Sequence, residues 1–288
     1  MRLILSVFVC IYGGSLAGCV LQYWQVGGKT SGRVFYPIAA AAVACLAATL
    51  VLLRRPMRIE NMMPRLVTIL GCFYSGLLLG FWAQRYAASE EPSVAQMVVG
   101  TVCSHGLGLV LVFRFLREHE MGWGEAFGLA HRSREAVLLG LLAAACFLPF
   151  GLGLEQTVGW GLKYLSPAGM EPEQQRAVQV LRTAISWSQR GLLGALTILM
   201  APVAEEVLFR GILYAAIKQA GFGRLALWGT AGLFALIHFN LLTFLPLMAL
   251  ALVLTYLYAR TNNLLAPIAA HSFFNALNFG LLYYFQKP

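Results

Sequence analysis

Residues 194–216 read GALTILMAPVAEEVLFRGILYAA, and this stretch decides the fold. Its only charged side chains are Glu205, Glu206 and Arg210, and its length matches the roughly 20 residues an α-helix needs to cross a bilayer. An ionisable group at the centre of such a helix costs about 2.5–3.5 kcal/mol even on translocon-based scales. Three of them so close together need partners inside the protein, and the rest of the chain can be searched for those partners.

The composition agrees with a membrane setting. Of the 288 residues, 59% are hydrophobic and 11% charged, which excludes an ordinary soluble fold and points to an all-α, polytopic integral membrane protein. A net charge of +9 would suggest nucleic acid in a soluble domain. Here the basic residues cluster in short loops between apolar runs, so the charge reads as topology and no nucleic-acid partner is expected. The six cysteines, Cys10, Cys19, Cys45, Cys72, Cys103 and Cys146, stand singly in apolar runs without a CxxC pair, which argues against disulfides or a cysteine zinc site. The expected location is the cell membrane of a bacterium or an archaeon.

Apolar runs at 3–24, 34–53, 66–82 and 94–113 read as the first four spans. The first contains a lipobox-like Leu16-Ala17-Gly18-Cys19, but the chain stays apolar to Trp24, so a retained helix is expected rather than cleavage. Arg54, Arg55, Arg58 and Arg65 mark a cytoplasmic loop, and Glu90 with Glu91 the opposite side. Gly76 and Gly80 form a small-xxx-small seam in the third span. His105 in the fourth reads as a hydrogen-bonded structural histidine. Residues 114–135 read as an interfacial loop or short helix, which its four arginines place inside, and 136–154 as a fifth span broken near Pro149. Residues 155–190 are a polar connector with an amphipathic stretch at 173–189, either a surface gate or a plain interfacial link. Four more helices follow at 191–218, 224–239, 245–259 and 264–285. The second and third are short for full spans, so a hairpin with its tip near 240–246 inside the protein is expected. The total is eight or nine transmembrane helices: N-terminal helices and connector in 1–190, and a four-helix catalytic core in 191–288. The N-terminus and the Lys218 and Arg260 turns are expected to be cytoplasmic.

Strongly polar side chains interrupt the last four helices in three places: Glu205 and Glu206 with Arg210, His238 with Asn240, and His271 with Asn275. Glu206 and Arg210 are four residues apart, as are His271 and Asn275, so each pair projects from one helix face. Glu205 lies thirteen residues before Lys218, His238 fourteen after Arg224, and Asn275 fifteen after Arg260, each roughly 20 Å of helix. Alternating helices put those basic turns on one side, so the polar groups fall at nearly one depth. Glu205 and Glu206 point about 100° apart, so one faces the shared centre and the other turns toward Arg210 or a neighbouring helix.

A buried carboxylate beside a histidine can deprotonate water, while a second histidine and an asparagine amide can stabilise an oxyanion. That is equipment for amide hydrolysis. Ser272 follows His271 but faces away at i+1, which favours direct attack by water over a covalent intermediate. Two histidines and a carboxylate also suit catalytic zinc, although the HExxH spacing is absent. Spacing alone leaves both sites open.

Glu205-Glu206-x-x-x-Arg210, Phe234-x-x-x-His238 and His271-x-x-x-Asn275, in this order on successive apolar helices, resemble the three motifs of the CPBP family. That family comprises CAAX prenyl endopeptidases of the Ras-converting type and bacteriocin-processing or immunity-related relatives. The resemblance covers roughly 192–284 and does not extend to the first half of the chain. It implies an intramembrane endopeptidase that hydrolyses a peptide bond of a membrane-associated protein or peptide, with the lipid bilayer as its surroundings. By carry-over, Glu205 and His238 would activate water, and His271 with Asn275 would form the oxyanion site. Glu206 and Arg210 would be supporting residues, and Phe234 would pack. The resemblance favours a mechanism with no cofactor; zinc on Glu205, His238 and His271 is the alternative. Two other readings are a non-catalytic membrane scaffold or immunity protein of the same fold, and a proton-coupled transporter with an intramembrane Glu/Arg/His relay. No inverted repeat supports the latter.

Overall fold

A computed structural model describes residues 94–118, 120–165, 174–184, 186–238 and 240–285. The first three expected spans, the Arg54–Arg65 loop and the Gly76/Gly80 seam lie outside these residues, as does the total of eight or nine spans. The chain divides into two compact units, Met1–Phe115 and Leu116–Pro288.

All regular structure among the described residues is helical. Helix α1 (Val94–Thr101), a π-turn (Val102–Gly106) and α2 (Leu107–Glu118) follow in succession. In the π-turn, His105 Nδ1 donates to the Thr101 carbonyl at 3.1 Å, the structural role its isolation suggests. Then come α3 (Trp123–Ala126), α4 (Ser133–Leu165), α5 (Arg176–Thr183), α6 (Trp187–Gln219), α7 (Gly223–Leu236), α8 (Leu241–Thr261) and α9 (Leu265–Phe285). Four of these, α4, α6, α8 and α9, are long and apolar enough to cross a membrane.

Three boundaries differ from expectation, each for a local reason. Pro149 does not break the fifth span: α4 runs through it for 33 residues. Pro149 and Ala145, whose carbonyl loses its partner to the proline, are both exposed, so the lost bond falls on the outer face and packing holds the helix together. The 173–189 stretch is not one amphipathic helix. α5 ends at Thr183, and α6 begins at Trp187 rather than 191, because Ser186 and Gln189 form a capping box: Ser186 Oγ accepts from Gln189 N–H at 3.2 Å, and Gln189 Oε1 from Ser186 N–H at 3.3 Å. Finally, α8 is not short. Asn240 Oδ1 accepts from Thr243 N–H at 2.9 Å and from Thr243 Oγ at 3.1 Å, which starts the helix at Leu241 and gives it 21 residues. Leu241 and Leu245 are exposed, so the α7–α8 tip is not enclosed.

α8 packs against α4, α7 and α9, and α9 lies along α4. The α4–α9 contact is backbone to backbone. A Cβ at Gly140 would stand 2.3 Å from the Ala266 carbonyl oxygen, so only glycine permits the approach. Ala136, Ala144, Ala266 and Ala270 continue this seam, joined by Phe147, Leu250, Leu254 and Leu257. α4 and α9 run parallel, with Gly140 beside Ala266 and the Phe147 and Phe274 rings 5.8 Å apart. α6 runs antiparallel to α9, from Arg190 against Tyr283 to Glu206 against His271. The Tyr214 and Tyr258 rings meet at 6.3 Å, so the Lys218 and Arg260 ends of α6 and α8 lie together, as the depth argument requires. Beside them, Leu264 N–H donates to the Phe127 carbonyl at 3.0 Å and Asn263 Nδ2 to the His131 carbonyl at 2.5 Å.

Candidate active site

The two glutamates of α6 have different surroundings. Glu206 is fully buried, and its Oε1 accepts from Arg210 Nη1 at 2.7 Å and from His271 Nδ1 at 2.8 Å. Arg210, 1% exposed, also donates from Nη2 to the Ala251 carbonyl at 3.1 Å and from Nε to Thr255 Oγ at 3.4 Å. Its guanidinium lies 4.8 Å from the Phe234 ring centroid, a cation–π contact in a water-poor setting. The arginine thus ties α6 to α7 and α8 while neutralising the buried carboxylate. Glu205 retains 14% of its side-chain exposure, and its Oε2 stands 3.9 Å from His271 Nε2. The order Arg210, Glu206, His271, Glu205 therefore leads from fully buried groups to a carboxylate that is partly exposed, although the Oε2 facing His271 is itself buried. An ionised Glu206 can only accept, which places a proton on His271 Nδ1 and turns Nε2 toward Glu205.

His238 is set by the end of its own helix. Ile237 N–H still bonds the Leu233 carbonyl at 3.1 Å, but His238 N–H slips to Ala235 at 3.3 Å. This leaves the Phe234 carbonyl without its α-helical donor, and His238 Nδ1 fills the place at 2.7 Å. A carbonyl only accepts, so a proton is on Nδ1, and in the neutral ring the lone pair is on Nε2. Phe234 is the shared wall. Its ring centroid lies 4.9 Å from that of His238, 5.7 Å from His271 and 5.3 Å from Phe209.

Asn275, one turn beyond His271 on α9, donates from Nδ2 to the Thr197 carbonyl of α6 at 2.8 Å. Glu205, Glu206, Arg210 and His271 thus meet in one network. His238 joins through Phe234, and Asn275 is anchored beside it on α6. Asn240, grouped with His238 by sequence proximity, caps α8 instead. Spacing does not point to Thr255 or to the carbonyls of Ala251 and Thr197. Thr255 was visible as a polar residue in an apolar run; backbone carbonyls leave no sequence signal. Among the described residues, no three His, Cys, Asp or Glu side chains gather closely enough to hold a metal ion, and His271 Nδ1 is engaged by Glu206.

Residues 187–277 match the family model of the Rce1-like type II CAAX prenyl endopeptidases. The recognition drawn from the three motifs holds. The match begins at the first residue of α6 and includes every residue of the network above. The chain is also 36% identical over 86 residues to the uncharacterized protein YpbD of Bacillus subtilis (strain 168), an alignment covering 28% of this chain and 41% of that protein. The chain therefore spans less than half the length of this curated relative. No solved structure matches significantly.

Proposed function

We propose that the protein is an intramembrane endopeptidase that hydrolyses a peptide bond of a membrane-associated protein or peptide, by CAAX-type or related processing. The observation that carries this reading is the buried Arg210–Glu206–His271 chain ending on the more accessible Glu205. Structural ion pairs neutralise themselves, whereas this one orients a histidine toward a second carboxylate that is only partly buried.

In the proposed reaction, Glu205 and the Nε2 lone pair of His238 hold a water and take its proton as oxygen attacks the scissile carbonyl carbon. The carbonyl π pair moves onto oxygen. Asn275 uses one N–H on Thr197 and offers the other to the oxyanion, joined by His271 Nε2–H when the ring is doubly protonated between its two carboxylates. The proton held by the base then passes to the leaving nitrogen as the C–N bond breaks, giving a carboxylate and an amine. A positioned general base contributes about 10²–10⁴-fold, and one oxyanion donor about 10²–10³-fold.

This mechanism draws on no cofactor. Zinc held by Glu205, His238 and His271 is the alternative, decided by the metal content of active protein and by whether cleavage survives a strong chelator. The function itself is tested with a membrane-anchored reporter peptide and purified protein in micelles. Glu205→Gln and His238→Ala should each lower cleavage by about 10²–10⁴-fold while the protein stays folded. Undiminished turnover in both would overturn the reading, and a parent protein that cleaves no reporter would leave the non-catalytic scaffold in its place.

A further inference from the structure

α6 changes hydrogen-bond register one turn before its glutamates. Leu196 N–H bonds back to Leu192, as in an α-helix, but Ala201 N–H reaches five residues back to the Leu196 carbonyl through the π-turn Leu196–Met200. The carbonyl of Thr197 would receive the Ala201 N–H in an α-helix and the N–H of residue 202 in a π-turn. Ala201 is engaged with Leu196, and residue 202 is a buried proline, which has no N–H. Thr197 therefore has no backbone donor in either register, and a carbonyl inside a helix bundle needs one.

Asn275 Nδ2 supplies that donor at 2.8 Å. The constraint acts in both directions. Because a carbonyl only accepts, the amide nitrogen of Asn275, and not its oxygen, must face Thr197. That fixes the rotation of the amide and the direction of its second N–H. We propose that Pro202 is a positioning residue for Asn275: by withholding an N–H, it leaves the Thr197 carbonyl to the Asn275 amide, which presets the remaining N–H as the oxyanion donor. This inference rests on the protease reading above, and it assigns Pro202 and the Thr197 carbonyl a role in turnover that neither touches substrate to perform.

Restoring the N–H tests it. Pro202→Ala and Pro202→Ser should fold with an unchanged or higher melting temperature, since an interior proline disfavours a helix. Their kcat should fall about tenfold or more, as expected when an oxyanion donor is no longer held, with KM within about twofold of the parent, since the donor acts in the transition state. In an Asn275→Ala background the same substitutions should have no further effect on kcat, because Pro202 acts only through Asn275. Multiplicative losses in the double variants, unchanged kcat in the single ones, or failure of both to fold would each overturn the inference. Glu205→Gln, run alongside, separates the two levels. If it and His238→Ala both cleave at the parental rate, the protease reading itself has failed; if it is strongly impaired while Pro202→Ala cleaves normally, only the positioning role has.

Discussion

Along one face of α9, Ala266 and Ala270 lie against α4 at Gly140, backbone on backbone with no room for a Cβ. On the adjacent face, His271 and Asn275 reach across to α6 through hydrogen bonds of 2.8 Å to Glu206 and Thr197. Each face uses residues four apart on the same helix. The first contact depends on the absence of side chains and is sensitive to volume. The second depends on particular side chains and is sensitive to charge and proton position. A substitution that leaves one face undisturbed should therefore be severe on the other, and the two should separate stability from turnover.

The largest effect is expected where chemistry changes and volume does not. Glu205→Gln keeps the shape of the side chain and removes its basicity, so reporter cleavage should fall by about 10²–10⁴-fold with the melting temperature close to the parent's. A proportionate loss of stability would show that Glu205 belongs to the packing instead. Arg210→Ala comes next and would blur the comparison, because it leaves the Glu206 carboxylate buried without its cation. Reversible unfolding in micelles should show a loss of about 3–5 kcal/mol, together with loss of activity.

Gly140→Ala probes the opposite face. The added methyl meets the Ala266 carbonyl, and overpacking of this kind costs about 1–3 kcal/mol. Cleavage per folded molecule should stay near the parental rate. A neutral effect on stability would break the close-approach account of the α4–α9 seam. The smallest effect is expected at the α7–α8 tip, where Asn240→Ala removes the α8 cap at a cost of about 1 kcal/mol; amide hydrogen exchange at Leu241–Thr243 should report it locally.

The polar face was legible in the sequence because charge in hydrocarbon is expensive, and the residues that bear that expense stand out from an apolar background. Glu205, Glu206, Arg210, His238, His271 and Asn275 could all be named from spacing and depth, and the motif order pointed to the family matched at 187–277. The small-residue face was not legible. Gly140 is one glycine in a run of leucine and alanine, and nothing local distinguishes a close-contact glycine from a tolerated one. Helix boundaries failed for a similar reason. Pro149 reads as a break, yet its exposed position lets packing carry α4 through; the Ser186 capping box lies within a polar stretch that reads as a connector.

The sequence by itself determined that this chain is helical and built for a membrane, that its last hundred residues place glutamates, histidines and an asparagine at nearly one depth, and that the two glutamates point about 100° apart, one toward the shared centre and the other toward Arg210 or a neighbouring helix. Those conclusions follow from helical period and from the cost of burying charge, both of which act along a single segment. Only the tertiary structure decided that Glu206 holds both Arg210 and His271, that His238 carries its proton on Nδ1, and that Asn275 answers a carbonyl freed by Pro202. The first depends on side chains of α6 and α9 meeting, and the other two on a backbone carbonyl left unpaired in one helix and filled from its own end or from another helix; such contacts exist only once the helices have formed and met.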